Sequence, residues 1–327
     1  MKKSLAILLA VLMTAALLGT GASAEKELTF GYIAYQMADI WNEYSAKSFQ
    51  YAAEQNGVDV IVLDAQNDIG KSIAAMENLI QSEVDGISIF PISPEQGAQL
   101  IAMANEAGIP ITVENIDVAA VAEPEAYVAA VGCVYGDIGY AAIAWLSQNV
   151  EDAKVFYCGG AVGGGVFEAY MIGVNQALED YADSIEMIGI LNSDAWSTED
   201  GLNLTTNFIN SGAEFNCIFA NNDQMAQGCY QALLEAGLEN DIPIVSTGGS
   251  PDAYAFVEEG IEAANMTAPV SIQGVQTFKN LYEYVVDGTV PDVKFQNLPV
   301  VPVSGDDLSA WIDWADYAGA YAYVYGN

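Results

Sequence analysis

From Leu28 onward the apolar positions fall into a repeating pattern: short β-branched runs separated by longer stretches in which apolar residues recur at helical spacing. Such alternation marks βα units, which set parallel strands in one sheet and helices over its faces. In the first series, 28–34, 58–63, 86–90 and 109–113 read as strands, and 42–56, 70–82 and 94–107 as helices. Ser93-Pro94 opens the third helix and Ala107-Gly108 closes it, the punctuation expected of an N-cap and a C-cap. A connecting strand at 128–131 and a helix at 136–148 lead into a second series. There, 154–157, 185–190, 215–220 and 244–246 read as strands, and 166–180, 198–210, 224–236 and 253–259 as helices. Two similar α/β lobes result. A strand at 262–266, a helix at 272–286 and an extended piece at 295–303 follow. If that helix returns to the first lobe, the chain crosses between lobes more than once and a ligand would lie in the cleft between them.

The last stretch, 304–327, is different in kind. Trp311, Trp314, Tyr317, Tyr321, Tyr323 and Tyr325 crowd together with Asp306, Asp307, Asp313 and Asp316. Spacings of three and four from Trp311 to Tyr321 predict an amphipathic helix that packs the tail onto a lobe. Docking to another protein, or carbohydrate contact by the rings themselves, remains open at this level.

Before Leu28, Lys2 and Lys3 lead into an apolar run from Leu5 to Leu18, and Ala22-Ser23-Ala24 supplies a small-x-small cleavage pattern. This reads as a secretory signal peptide over residues 1–24, too short for a bilayer span. No cysteine stands at the cleavage point, which argues against a lipid anchor. The protein is therefore expected in the periplasm or outside the cell.

Charge and composition narrow the chemistry. The 327 residues include 44 acids, eight lysines, no arginine and no histidine, for a formal charge of −36. Removing the signal segment, with its two lysines and no acid, takes this to −38. Nucleic acid would be repelled. Histidine triads, histidine metal sites and arginine forks are all excluded. Carboxylates, amides, hydroxyls and rings are left, on a chain whose 52% apolar content supports a large core. Cys133, Cys158, Cys217 and Cys229 allow disulfides in an exported protein but read as buried thiols, since a core of this size needs no staples. No cofactor or metal is expected.

Several groups sit where predicted strands end, the edge at which open α/β sheets bind ligands. They are Gln36, Asp39, Trp41 and Asn42 after the first strand, Pro91 and Ser93 after the third, and Glu114 and Asn115 after the fourth. The second lobe offers Glu168, then Asp194 and Trp196, then Asn221, Asn222 and Asp223. Each alone also reads as a cap or turn residue; Asn222 or Asp223 could simply cap the helix at Gln224. Together they describe a cleft with two indoles and many acceptors. Sugars and polyols have C–H faces that lie on aromatic rings and hydroxyls that need partners once water is excluded. The glycine-rich run 159–165 fits neither a dinucleotide fingerprint nor a P-loop and reads as a strand-to-helix turn lining the cleft.

The sequence resembles the type I periplasmic binding proteins of ABC sugar importers, the ribose- and galactose-binding kind, from about Leu28 to Val303. The stretches that carry the resemblance are Val62–Asp68, Val84–Ile89, Ala107–Thr112, Phe219–Ala226 and Ser250–Asp252. It implies two Rossmann-like lobes with parallel sheets, joined by a hinge of three crossings near 130–133, 267–269 and 298–301. The N-terminal lobe would then comprise 25–131 plus 269–297, the C-terminal lobe 132–268 plus 298–303, and the aromatic tail 304–327. It also implies ligand contacts at Trp41 and Asp39, at Trp196, at Glu114 and Asn115, and at Asn222. Departures accompany the matches. Family arginines fall on Asn115 and Glu168, a family aspartate on Gly248 and the hinge glutamine on Ala268, which argues against ribose or galactose itself.

The function so implied is capture of a small polar solute, a sugar or polyol first, and delivery to an ABC permease by a monomer that is not an enzyme. Loss of two cations and gain of a carboxylate make an amine-bearing or cationic ligand the alternative. Presentation of the ligand to a chemoreceptor is equally compatible. An exported glycosidase using Asp39 and Glu168 has no motif of its own. A transcription regulator would need a DNA-binding head where this chain has its export signal.

Overall fold

A computed structural model describes residues 27–116, 119, 121–305 and 307–326. The export signal expected at 1–24, and Asp306 in the tail, lie outside the described residues.

The chain opens with β1 (Thr29–Ala34), α1 (Ile40–Gln55), β2 (Asp59–Asp64), α2 (Ile69–Gln81), β3 (Gly86–Ile89), α3 (Pro94–Ala107), β4 (Ile111–Glu114) and β5 (Ala130–Gly132). It then builds α4 (Tyr135–Asn149), β6 (Ala153–Gly159), α5 (Val166–Asp180), β7 (Ile185–Asn192), α6 (Thr198–Asn210), β8 (Cys217–Ala220), α7 (Asp223–Ala236), β9 (Ile244–Gly248), α8 (Pro251–Glu258) and β10 (Ala264–Thr267). Helix α9 (Val270–Asp287), β11 (Phe295–Asn297), β12 (Val301–Ser304) and α10 (Tyr317–Tyr325) complete it.

Two six-stranded sheets form, in the orders β11-β5-β4-β3-β1-β2 and β12-β10-β9-β8-β6-β7. All pairings are parallel except β10 with β12. The chain passes from the first sheet to the second after β5, back after β10, and over again between β11 and β12. These passages are tied together: Leu298 donates its N–H to the Gly132 carbonyl at 2.8 Å, and Thr267 its hydroxyl to the Val301 carbonyl at 2.9 Å.

Local chemistry sets the helix ends. Asp39, Asp68, Ser93, Ser197, Asn222 and Ser250 each accept a backbone N–H at a helix start, relieving the donors that a first turn leaves unpaired. Glycine permits the close helix pairs. A Cβ on Gly173 of α5 would lie 1.7 Å from the Gly136 carbonyl oxygen of α4, and one on Gly228 of α7 2.1 Å from the Thr198 oxygen of α6. One core lies under α1 and α9 in the first lobe and α4 and α5 in the second, built on Phe30, Phe49, Phe278, Tyr157 and Phe219. The opposite sheet faces carry their own cores, around Leu79, Ile87 and Leu100, and around Phe156, Ile218 and Leu233. All four cysteines are buried free thiols.

The tail departs from expectation. The helix predicted from Trp311 to Tyr321 starts only at Tyr317. Asp313 and Asp316 turn the chain instead, accepting from the Ala315 and Gly319 N–H groups at 2.8 Å each. Trp314 is buried, with its indole N–H donated to the Ala268 carbonyl at 2.8 Å. An anchored ring cannot stay on the face of a solvent-washed helix. Among the described residues no helix is long and apolar enough to cross a membrane.

Candidate functional site

In each sheet the strand order reverses beside the first strand of the series, β1 in one and β6 in the other. Loops leaving the carboxyl ends diverge at such a point and leave a crevice. The two crevices face each other across a cavity of about 450 Å³, a volume in the range of small-molecule sites. Loops after β1, β3 and β4 form one wall and loops after β6 to β9 the other.

Asp39, Trp41, Asn42, Asn115, Trp196, Asn222 and Gly248, taken from the sequence as ligand contacts, all border this cavity. Asp39 caps α1, accepting the Trp41 and Asn42 N–H groups at 2.8 and 3.4 Å. Loss of water around it pushes its carboxyl above the ordinary value, against those two bonds. Trp196 has φ 59°, a strained choice for an aromatic residue. It is held there by its N–H on Ser193 Oγ at 2.6 Å and its carbonyl on Asn222 Nδ2 at 3.0 Å. Its ring lies on Gly160, where a Cβ would come within 1.9 Å of the indole. Asn222 also caps α7 through Met225 N at 2.7 Å, so the cap and cleft readings are both true of it. At Gly248, φ 139° and a Cβ position 2.5 Å from Asp223 Oδ2 explain the glycine.

Three expected residues stand elsewhere. Glu114 does not border the cavity. It is the last residue of β4, and strand alternation turns it, like Thr112, toward the helix layer. There it accepts from Tyr32 Oη at 2.7 Å, Ser45 Oγ at 2.6 Å and Gln273 Nε2 at 3.2 Å. Burial raises its pKa despite these bonds. Only Asn115, one residue on with φ 68°, turns into the cleft. Glu168 is taken up by local structure, accepting the Gly163 and Gly165 N–H groups at 2.7 and 3.0 Å in front of α5. Gln36 stands at the rim and donates Nε2 across the cleft to the Ala195 carbonyl at 3.4 Å.

The floor holds groups that sequence reading missed. Tyr135 donates to Asn115 Oδ1 and stacks near Tyr170 at 5.0 Å between centroids. Tyr170 shares a hydrogen with Thr247 Oγ1 at 2.8 Å, and Thr247 donates to the Asn221 carbonyl at 3.0 Å. Asn221 Oδ1 accepts from Tyr157 Oη and Gly160 N at 2.9 and 2.8 Å. Nothing in the sequence marks Tyr135 or Tyr170, which come from helix starts rather than strand ends. Trp314 also borders the cavity, 5.3 Å from Trp41 in an edge-on pair.

The charge balance is one-sided. Among the described residues, Asp39, Asp194 and Asp223 border the cavity and no lysine does. Asp223 is engaged, accepting from Gly249 N, Ser250 N and Asn265 Nδ2 at 3.0, 2.8 and 2.8 Å. Burial nevertheless lifts its pKa from 3.8 to about 6. Two buried donors, Trp41 Nε1 and Asn221 Nδ2, have no hydrogen-bond partner among the described residues. Both atoms are shut off from the cavity as well as from solvent, so each is a cost to the fold rather than a contact offered to a ligand.

A family model described as the periplasmic binding protein domain matches residues 30–289. A putative rhizopine-binding protein of Rhizobium meliloti is 28% identical over 215 residues, 64% of this chain and 69% of that protein. The ribose import binding protein RbsB of Bacillus subtilis is 27% identical over 236 residues, 72% of this chain and 74% of that protein. Among solved structures, an ABC transporter solute binding protein from Bacillus halodurans C-125 with bound myo-inositol superposes with a TM-score of 0.79. It is 23% identical, and the match covers 92% of this chain and all of that one.

Proposed function

Because the chain belongs to the periplasmic binding protein family, we propose that it captures a neutral sugar or polyol between its lobes and delivers it to the permease of an ABC importer. The observation that carries this reading is the composition of the cavity: an indole from each lobe, Trp41 and Trp196, set among carboxylates and amides that can accept from hydroxyls. Rings take the C–H faces of such a ligand, and Asp39, Asn115 and Asn222 accept from its hydroxyls. Relatives named for ribose, xylitol and fructose support the class.

The lobes, divided near 131, 268 and 297, close on the ligand, and a ligand touching both stabilises the closed form. Gln36 of the first lobe reaches the Ala195 carbonyl of the second at 3.4 Å. The protein acts outside the cytoplasm after losing residues 1–24, as a monomer without catalytic activity, and the permease reads the closed faces of both lobes. A chemoreceptor can read the same surface.

A second reading has its own support. Among the described residues, three aspartates and no lysine border the cavity, so an amine-bearing polyol would find charge complementarity that a neutral one does not use. A thermal-shift and tryptophan-fluorescence screen of residues 25–327 separates the two, with neutral sugars, polyols, amino sugars, polyamines and nucleosides as probes. Binding to the folded form raises the melting temperature saturably. A hit among neutral sugars or polyols is expected. Hits confined to amines move the function to amine uptake, and release of a cleaved product from a bound saccharide would refute the binding-protein reading.

A further inference from the structure

The aromatic tail is joined to both lobes at the hinge side of the cleft. Trp311 stands edge-on to Tyr254 of α8 in the second lobe, with ring centroids 5.2 Å apart. Trp314, three residues on, donates Nε1 to the carbonyl of Ala268, where the chain crosses back to the first lobe. It meets Trp41 at 5.3 Å and 82°, and Tyr44 at 5.6 Å. The loop after β9 is shaped to admit this ring: Gly249 has φ 104°, and a Cβ there would lie 3.4 Å from Trp314 Nε1 and 3.1 Å from Thr267. Tyr317 then brings α10 onto α1 of the first lobe. The family match ends at residue 289, so this wall of the cavity comes from chain beyond the matched region.

We propose that the tail is part of the binding site, and that Trp314 is a positioning and specificity residue that seals the hinge-side wall and fixes the Trp41 indole against the ligand. The Trp41 indole N–H has no hydrogen-bond partner among the described residues, so packing alone orients the ring: the core behind it, the cavity before it and Trp314 edge-on beside it. Edge-to-face pairing sets a ring's tilt as well as its depth. Removing Trp314 frees that tilt and enlarges the cavity, so larger ligands lose less than small ones. The proposal rests on the cleft being the ligand site.

The test uses residues 25–327 labelled with 5-fluorotryptophan, whose five ¹⁹F resonances are assigned by single Trp→Phe changes. In the absence of ligand, Trp314→Ala should shift the Trp41 resonance and leave that of Trp145, on α4, in place. Trp314→Phe should restore most of the Trp41 shift. With the neutral sugars and polyols of the screen, myo-inositol and D-ribose among them, Trp314→Ala should weaken binding about tenfold, the scale of one lost aromatic pair and its burial. Trp314→Phe should stay within about threefold, and so should Trp311→Ala, whose ring rests on Tyr254 away from the cavity. An unmoved Trp41 resonance in Trp314→Ala overturns the proposal, as does equal loss from Trp311→Ala and Trp314→Ala. If no probe binds the unaltered protein, the sugar reading fails on its own, and the ligand-free spectra still decide the role of Trp314.

Discussion

Gly160→Ala tests the cleft with one added carbon. The new Cβ would lie 1.9, 2.2 and 2.3 Å from three atoms of the Trp196 six-membered ring. Comfortable carbon contacts need about 3.5 Å, so the ring must retreat by roughly 1.5 Å. Its backbone cannot follow, since Ser193 Oγ holds the N–H and Asn222 Nδ2 the carbonyl. The indole must therefore swing about its side-chain torsions and leave the wall of the cavity. Gly160 itself is not in the left-handed region, and Trp196 is only partly buried, so stability should change by no more than about 1 kcal/mol. Loss of an aromatic anchor costs binding about 1–3 kcal/mol, roughly 5- to 150-fold in Kd.

Isothermal titration with the sugar or polyol returned by the screen measures the loss, and urea unfolding measures the stability. The decisive comparison is the double variant. If Gly160→Ala acts only by displacing Trp196, then Gly160→Ala with Trp196→Ala binds no more weakly than Trp196→Ala alone. Additive losses, or unaltered affinity in Gly160→Ala, would refute the stacking role assigned to Trp196.

Three further outcomes probe the scaffold. Glu114→Ala strands the Tyr32 and Ser45 hydroxyls, while Gln273 keeps its bond to Ser45 Oγ; at about 1–3 kcal/mol for each unpaired buried group, the urea midpoint should fall sharply while Kd in the folded fraction holds, and the reverse pattern would return Glu114 to the ligand. Gly173→Ala drives a Cβ into the Gly136 carbonyl oxygen of the neighbouring helix, backbone that cannot step aside, so it should cost several kcal/mol; a melting temperature within two degrees or so of the parent contradicts that packing. Asp223 keeps its proton in the folded chain up to about pH 6 and loses it near 3.8 when unfolded. The folded form thus binds more protons between those values, and stability from this group falls as pH rises through the window, by on the order of 3 kcal/mol at pH 7. Urea unfolding at pH 5 and pH 7 should show the difference, and Asp223→Asn should shrink it; an equal slope in the variant contradicts the assignment.

Periodicity and punctuation were enough for the two lobes, because βα units announce themselves locally: Ser93-Pro94 and Gly108 bound the third helix at 94–107, where the structure has it. Strand ends also pointed to the edge of each sheet that borders the cavity. What could not be read was which residue at a strand end turns outward. Glu114 and Asn115 are adjacent polar residues, and the difference lies in one backbone angle: the first keeps strand geometry and faces the helix layer, the second takes φ 68°. The tail misled for a related reason. Ring spacing from Trp311 to Tyr321 fits a helix, but a hydrogen bond from Trp314 to Ala268, 46 positions away, overrides local propensity. Tyr135 and Tyr170 carried no signal, since their place on the cleft floor depends on how α4 and α5 sit against the second sheet.

The missing arginines acquire a different meaning once Asn115 and Glu168 are seen in place. Asn115 is tied to Tyr135, and Glu168 is spent on the glycine turn before α5, so neither supplies the forked donor that the resemblance would place there. Among the described residues, the walls are left with three bordering aspartates and no lysine. A ligand suited to these walls must itself be rich in donors. Hydroxyl groups meet that demand by donating to a carboxylate or an amide oxygen, and an ammonium group meets it at the aspartates alone. Rings on both lobes and bordering carboxylates together suit a ligand that has apolar C–H faces and several donors, with or without an amine.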